Sequence, residues 1–472
     1  MLNTDSKISD SVVTCQTGQG TEVRARLLHL TRYLAAFEIY KPDLALRMSE
    51  VLGDFRVVLN GRAVYSGRAV VGSLVNTGLM LVCQVTLDEH SWTDVELTSG
   101  ATGKDRLRGD FKEFIHGWQK QYLVSRDYKV IIADIQSFLA DLRLWLDQVE
   151  LNIRASPAAN RAELELEIVQ GLRDSVTPPV SSLFERFEEV SDKIEEDLRP
   201  AHRAFGQRQL HPLLLCAPFI YRCYTKPLGY AGDYEMMNMI IRNGYEGSSL
   251  YAKLVNAYLL DQGPAHAVRN RVDYLTNRII EETARISRAG RTANIYNVAC
   301  GPAREVERFV AEHPLADGAH FRLLDFSEET LRCASGRVND AKRKHHRKTG
   351  FEIVKNSVQA LLKAQSKGEP QEQRYDLIFS SGLYDYLSDQ VCKRLNAFLY
   401  DQLQPGGVLV VGNFAPSTSI RNFMEHLLEW FLIYRGPQKM MSLIPDQASL
   451  EHCVVRAEST GSNIFCEVRR PT

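Results

Sequence analysis

A short apolar run that breaks on glycine and resumes with helical spacing constrains this chain more than any other stretch. It reads Ile295-Tyr-Asn-Val-Ala-Cys-Gly-Pro-Ala-Arg-Glu-Val306. The run predicts a strand, Cys300-Gly301-Pro302 a tight turn, and Ala303-Arg-Glu-Val-Glu-Arg-Phe-Val310 a helix, which together open a doubly wound α/β fold. Gly301 lets the backbone turn and lets a ligand approach where a Cβ would collide. Pro302 is tolerated near a helix start, where the first amides have no intrahelical partner. Those amides can meet an anionic group of a nucleotide-like ligand.

The segments that should follow such a turn are present. Phe321-Arg-Leu-Leu-Asp325 predicts a second strand, ending on an acid roughly 25 residues downstream, close to where a ribose-binding carboxylate stands in such folds. Tyr375-Asp-Leu-Ile-Phe-Ser-Ser-Gly382 and Leu403-Gln-Pro-Gly-Gly-Val-Leu-Val-Val411 read as the fourth and fifth strands. Cys453-Val-Val-Arg and Asn463-Ile-Phe-Cys-Glu-Val-Arg, joined by Thr460-Gly461, suit an antiparallel closing hairpin. This set resembles the class I S-adenosylmethionine-dependent methyltransferases, in which the LQPGGVLVV pattern precedes the fifth strand. The turn lacks GxGxxG spacing, which argues against a nicotinamide or flavin cofactor. The resemblance implies a Rossmann-like α/β domain with a seven-stranded sheet. It also implies a cofactor site at Ala299, Cys300, Gly301, Pro302, Asp325, Phe326, Ser327, Asn356, Ser357, Ser381 and Gly382. On the helix before the first strand, Arg269 or Arg271 could pair bidentately with the carboxylate of the cofactor's methionine half. Each could equally be a helix-surface arginine.

A chain of 472 residues exceeds one ordinary core, so two to four domains are expected. A formal net charge of -1 argues against an electrostatically driven nucleic-acid binder. The basic run Lys342-Arg-Lys-His-His-Arg-Lys348 reads as a solvated surface. Nine cysteines without paired metal spacing suit a reduced, cytoplasmic protein, with Cys300 filling a small site behind the turn. No metal site, signal peptide or bilayer-spanning stretch is expected. Weak contact with a membrane surface stays open, as does the oligomeric state.

Residues 1–105 carry short strand-like runs, with a hairpin signal at Asn60-Gly61, and predict a small β-barrel. The region resembles PilZ domains, whose cyclic diguanylate site pairs RxxxR with a later (D/N)xSxxG. Arg24, Arg26 and Arg32 lack that spacing, and Val75-Asn-Thr-Gly78 departs from the second pattern. A degenerate barrel used for docking or regulation is the expectation.

Residues 106–205 are helical in period. The stripes are Phe111, Phe114, Ile115, Trp118 and Tyr122, then Ile132, Ile135, Phe138, Leu139, Leu142 and Leu146, with a break at Ser156-Pro157. Residues 206–288 form an expected lid and substrate region, and 289–472 the methyltransferase core. In the lid, Lys226-Pro-Leu-Gly-Tyr-Ala-Gly-Asp-Tyr-Glu-Met-Met237 places two glycines around Tyr230-Ala231, and Asp233 where it can cap the next helix.

That stretch, the ACGPARE turn and Glu429-Trp-Phe-Leu-Ile-Tyr-Arg435 resemble a bacterial family described as synthases of 3-hydroxy fatty acid methyl esters, which are quorum signals. The resemblance covers about residues 210–472. It implies carboxyl O-methylation of a 3-hydroxy fatty acid, free or carrier-linked. Tyr384, Asp385 and Tyr230 are the candidate catalytic residues. Tyr230, Asp233, Asn413, Phe414, Phe423, Leu427, Trp430 and Tyr434 are the candidate substrate contacts, the last four on a helix expected over 420–434. A carboxylate acceptor is its own nucleophile, whereas a hydroxyl or amine asks for a base, and Asp385 is the nearest one. A methyltransferase on a protein or secondary metabolite, and a non-catalytic regulator, are the alternatives.

Overall fold

The computed structural model describes residues 11–39, 46–59, 62–76, 81–93, 124–155, 157, 160–366 and 373–472. The stripe at Phe111–Tyr122, the Asn60-Gly61 turn, Ser156 and part of the 75–78 pattern lie outside the described residues. The chain forms two compact units. One comprises Met1–Ala231, Gly244–Leu259 and Ile420–Phe431, the other Gly232–Asn243, Leu260–Ser419 and Leu432–Thr472. The spans expected at 206–288 and 289–472 are therefore each shared between units.

The first unit begins with β1 (Val12–Gln16), β2 (Glu22–Leu30), β3 (Leu34–Ile39), β4 (Val51–Leu59), β5 (Arg62–Asn76) and β6 (Leu81–Leu87). They close into a barrel in the order β1-β2-β3-β6-β5-β4. Alternation explains it: Val23, Ala25 and Leu27 of β2 are buried while Glu22, Arg24 and Arg26 face out. Pairing of β1 with β4 removes the free edges that an open sheet would expose. Of the arginines compared with the PilZ pattern, Arg26 pairs with Glu38 at 3.4 Å and Arg32 with Glu89 at 3.3 Å.

Helices α1 (Arg126–Arg154), α2 (Arg161–Asp192), α3 (Arg199–Leu214) and α4 (Pro218–Thr225) follow. Ser125 caps α1 by accepting from the Tyr128 amide at 3.3 Å. Ile132, Ile135, Leu139 and Leu146 are buried as their spacing predicts, with Phe138 and Leu142 half-buried.

In chain order come α5 (Tyr234–Arg242) of the second unit, α6 (Leu250–Leu260), and α7 (Gly263–Arg288). Then β7 (Ala293–Val298), α8 (Arg304–Glu312), β8 (Ala319–Asp325), α9 (Glu328–Lys344), β9 (Gly350–Lys355), α10 (Val358–Ser366), β10 (Tyr375–Ser380), α11 (Asp389–Asp401) and β11 (Leu403–Phe414) alternate. Helices α12 (Arg421–Leu427) and α13 (Pro437–Met441) precede the hairpin β12 (Cys453–Ala457) and β13 (Asn463–Arg469). The seven strands run β12-β13-β11-β10-β7-β8-β9. Neighbours from β11 to β9 are parallel, and β13 is antiparallel to both β11 and β12. This is the mixed sheet with a closing hairpin that the sequence predicts.

Parallel strands are apolar on both faces because helices cover both. Ile295, Leu323, Leu377 and Val410 enter one core, while Tyr296, Leu324, Ile378 and Val411 enter the other. Strand order reverses between β7 and β10, which opens a crevice at their carboxyl ends. The basic run at 342–348 ends α9 with most of its side chains exposed, as expected.

Candidate functional site: the crevice at the carboxyl ends of β7, β8 and β10

The turn after β7 holds three left-handed residues: Ala299 at φ 56, Gly301 at φ 54 and Ala303 at φ 49. A left-handed alanine costs roughly 1–2 kcal/mol, and such strain collects at ligand clamps. A Cβ added at Gly301 would meet no heavy atom within 4 Å, so the turn faces open space. Asp325, 6% exposed, holds the turn from the end of β8. Its Oδ2 accepts from the Gly301 amide at 3.2 Å and its Oδ1 from the Ser327 amide at 3.0 Å. The Cys300 amide donates to Leu324 O at 2.9 Å, and the Asn356 amide to Asp325 O at 3.0 Å. Ser327 caps α9, and the Ser357 hydroxyl accepts from the Ala360 amide at 3.2 Å. The structure thus brings Ala299, Cys300, Gly301, Pro302, Asp325, Phe326, Ser327, Asn356 and Ser357 to one edge. Cys300 is packed in the core, and burial pushes its thiol well above the usual range, so it serves packing.

The two arginines of α7 separate clearly. Arg269 donates to Ile240 O at 3.1 Å and Leu260 O at 2.8 Å, satisfying carbonyls near the ends of α5 and α6. These bonds make it a structural cap, which corrects its expected cofactor role. Arg271 lies beside Gly382, where an added Cβ would stand 3.3 Å from its Nη2. Its Nη1 donates to Ser381 O at 3.4 Å and its Nη2 to Met237 Sδ at 3.2 Å. No carboxylate among the described residues lies within the ion-pair distance of 4.0 Å.

Asp233 caps α5, accepting from the amides of Glu235 at 3.0 Å and Met236 at 2.9 Å. The helix bridges two sides of the crevice. Tyr234 donates to Glu329 of α9 at 2.6 Å, Asn238 to Cys333 Sγ at 3.8 Å, and Met237 meets Arg271. Tyr230 falls in the first unit.

Past β10 the polar residues divide into scaffold and candidate chemistry. Tyr384 is fully buried in the sheet core, and its hydroxyl donates to Asn396 Oδ1 at 2.5 Å. It faces the core, not the crevice, which corrects its expected catalytic role. Asp385, 2% exposed, accepts at Oδ1 from the Phe414 amide at 2.7 Å, and its carbonyl accepts from the Ile433 amide at 2.7 Å. Burial pushes its carboxyl up to about 6, although Arg271 and Arg435 draw it down.

Arg435, which sequence reasoning missed as a site residue, braces these loops. At 1% exposure it donates to Tyr384 O at 2.7 Å, Asn413 Oδ1 at 2.7 Å, Leu387 O at 2.5 Å and Asp389 Oδ1 at 2.9 Å. Asn413 also donates to Phe414 O and Ile433 O, both at 2.9 Å. Its amide is therefore committed to the scaffold, against the expectation of a substrate contact. Phe414 lends its amide to Asp385. The signal for Arg435 was a lone cation ending an apolar run.

The helix expected over 420–434 stops at Leu427. Glu429 turns left-handed at φ 49, and side chains satisfy the last carbonyls: Gln207 on His426 O at 2.9 Å, His211 on Leu427 O at 2.8 Å, and Lys226 on Leu428 O at 3.0 Å. Phe423, Leu427 and Trp430 belong to the first unit and Tyr434 to the second. Phe423 lines an apolar pocket with Leu139, Val180, Phe184, Leu254 and Tyr258. That pocket has about 20 Å³ of free space, room for about one water and not for an acyl chain. Of the expected acyl contacts, Phe423 and Leu427 are core packing.

Among the described residues no group of three or more His, Cys, Asp or Glu could hold a metal ion. No helix among them is long and apolar enough to cross a membrane.

Residues 229–461 match the family described as "Putative methyltransferase". No curated protein matches the chain. Among solved structures, a protein of Bordetella parapertussis described as a possible exported protein is 15% identical, with 54% of this chain and 86% of that one covered, at a TM-score of 0.41. Magnesium protoporphyrin IX methyltransferase from Synechocystis PCC 6803 is 13% identical over 44% of this chain and 87% of its own, at 0.32. An N-methyltransferase from Bradyrhizobium japonicum WM9 is 14% identical over 42% and 99%, at 0.28. At such identities and scores, what those proteins bind or methylate says nothing of this chain. The matched stretch holds the strained turn, Asp325, Arg271 and Asp385 within one crevice, and the chain is a methyltransferase.

Proposed function

We propose that the crevice takes S-adenosylmethionine as methyl donor. The observation that carries this is the Gly301–Asp325 pair: a left-handed glycine facing open space, held by a buried acid at the ribose position of such folds. Asp325 would hold the ribose hydroxyls and Arg271 the α-carboxylate, while α5 shields the crevice from water. When bound, the donor supplies a methyl group already activated on a sulfonium, so the protein has only to align an acceptor and keep the site dry.

For the acceptor, the motifs at 226–237, 299–305 and 429–435 support a 3-hydroxy fatty acid, free or carrier-linked, methylated on its carboxylate to give a methyl-ester signal. One observation favours a second reading, a hydroxyl or amine acceptor. Asp385, in the segment after β10, is a buried carboxylate raised to about 6 with Oδ1 on the Phe414 amide; as the base it would take an acceptor's proton.

Two measurements test this. Gly301→Val and Asp325→Ala should each weaken S-adenosylhomocysteine binding about tenfold or more by calorimetry. Unchanged affinity in folded variants would sink the donor site. Incubation with methyl-labelled donor and a cell lipid extract should then label a lipid whose label mild base releases as methanol. A base-stable labelled product would instead select the hydroxyl or amine acceptor.

A further inference from the structure

The strand pairing leaves the side chain of Asn463 unmet at the crevice end of the sheet. This residue starts β13 at 0% exposure, yet neither its Oδ1 nor its Nδ2 has a hydrogen-bond partner among the described residues. Its backbone is used: the amide donates to Glu458 Oε1 at 3.1 Å, and the carbonyl accepts from the Glu458 amide at 3.1 Å. Asn463 stands opposite Phe414, at the carboxyl end of β11, and Phe414 gives its amide to Asp385. Side chains alternate along a strand, so Asn463 shares a face with Phe465, which stacks on Tyr274 of α7 with ring centres 4.1 Å apart. One turn earlier on α7, Asn270 donates to Glu458 Oε2 at 2.8 Å, and the next residue, Arg271, lies against Gly382 beyond β10. The carboxamide is therefore on the α7 face, between the closing hairpin and the acceptor-side loops after β10. A dry strand position that faces a helix ordinarily takes an apolar side chain. A carboxamide there with both atoms unmet is a standing cost, which a leucine of similar shape would avoid. Relief comes from a ligand that offers a donor to Oδ1 and an acceptor to Nδ2.

We propose that Asn463 sets acceptor specificity by binding a 3-hydroxy carboxylate across its two amide atoms. Oδ1 accepts from the 3-hydroxyl, and Nδ2 donates to one carboxylate oxygen. This deepens the fatty acid reading given above and rests on it. A plain fatty acid has an acceptor for Nδ2 and nothing for Oδ1, so it leaves a buried oxygen unmet and binds worse. The carboxylate oxygen held by Nδ2 stays with the protein, and the other is free to react. That free oxygen forms the bond to the methyl carbon, whose bond to sulfur breaks with its electron pair going to sulfur, and no proton moves. Asn463 thus selects the acid and fixes which oxygen is presented.

The test uses the full chain, methyl-labelled donor and three free acids of one chain length: 3-hydroxy, 3-fluoro, which cannot donate, and unsubstituted. Wild type should show kcat/KM about tenfold or more higher for the 3-hydroxy acid than for either of the others. Asn463→Leu should erase that preference. Since the side chain has no partner to lose, the variant should melt no lower than wild type and bind S-adenosylhomocysteine within about twofold of it. The proposal falls if the preference survives in the folded variant. It falls too if the variant melts lower and loses donor affinity and all three activities together, which is the mark of a structural role. Should the leucine variant not fold, wild type alone decides: equal kcat/KM for the 3-hydroxy and 3-fluoro acids overturns the proposal. If wild type binds S-adenosylhomocysteine and methylates none of the acids, the fatty acid reading falls and the proposal with it, while the donor site stands.

Discussion

Glu429 and Asp385 are both buried carboxylates under the influence of arginines, one in each unit, and the chain treats them in opposite ways. Glu429 is neutralised where it stands. Its Oε2 pairs with Arg68 at 3.0 Å, its Oε1 accepts from Gln207 at 3.4 Å, and Arg68, Lys226 and Arg203 hold it below the usual carboxylate range against its burial. Arg68 belongs to barrel strand β5, so this pair ties the barrel to the segment that ends α12 within the first unit. Asp385 has no ion pair among the described residues, and burial wins, lifting it to about 6. A charge matched in place is scaffold. One left unmatched, at some cost in stability, is available to chemistry.

The largest effect should come from removing the matched charge. Glu429→Ala strips Arg68 of its partner and leaves Lys226, which burial already pushes down to about 7, with one anion fewer. Breaking a buried pair from one side costs about 3–5 kcal/mol, because the remaining charge stays buried. Urea denaturation should show a loss of that order. A midpoint that hardly moves would mean that Glu429 is not the scaffold charge described here.

The opposite sign is expected at Asp385. Its folded carboxyl lies near 6 and its ordinary value is 3.8. The native state therefore binds a proton between those values that the unfolded state has released, so stability falls as pH rises from about 4 to 6. Asp385→Asn keeps an oxygen for the Phe414 amide and sheds the buried charge, and should stabilise the protein at pH 7.5 by roughly 3 kcal/mol. Midpoints of wild type and variant should converge near pH 4. A variant less stable than wild type at pH 7.5 would place Asp385 with Glu429. If Asp385 is the base for a hydroxyl acceptor, wild-type kcat/KM rises with pH through about 6 and the variant loses that limb.

The same division explains what the sequence made legible. The strand–turn–helix unit and the closing hairpin were readable, because apolar runs of fixed period and a glycine at φ 54 leave few alternatives. Barrel strands such as β2 were readable from alternation. The side-chain assignments fared worse, since a polar residue near a strand end carries no mark of which way it points. Tyr384 was expected at the reaction and faces the core; Arg269 was paired in expectation with Arg271 but caps two helices. Periodicity over 420–434 promised one helix, yet α12 ends at Leu427 because side chains of Gln207, His211 and Lys226 take its final carbonyls. Those partners lie about 200 residues upstream, beyond any local pattern. Arg435 was missed for the same reason, its partners lying on other elements.

The smallest change in stability, and the sharpest contrast, should come from Arg271→Gln. Arg435 makes four hydrogen bonds, three to the 384–389 segment and one to Asn413 of β11, and its loss would leave the buried acceptors among them unmet. Arg271 makes one long bond to Ser381 O and one to a thioether, with no anion, so little of the fold depends on it. A glutamine there should change stability by no more than about 0.5 kcal/mol, in the range of substitutions that break no buried network. Binding should respond differently. Loss of a charged bidentate partner for a carboxylate should weaken S-adenosylhomocysteine by about tenfold or more, and its decarboxylated form hardly at all. Thermal melts and calorimetry on the same preparation separate the two. A large drop in melting temperature would show that Arg271 braces the fold as Arg435 does. An unchanged melt with unchanged affinity would show that the unpaired guanidinium faces something other than the donor's carboxylate.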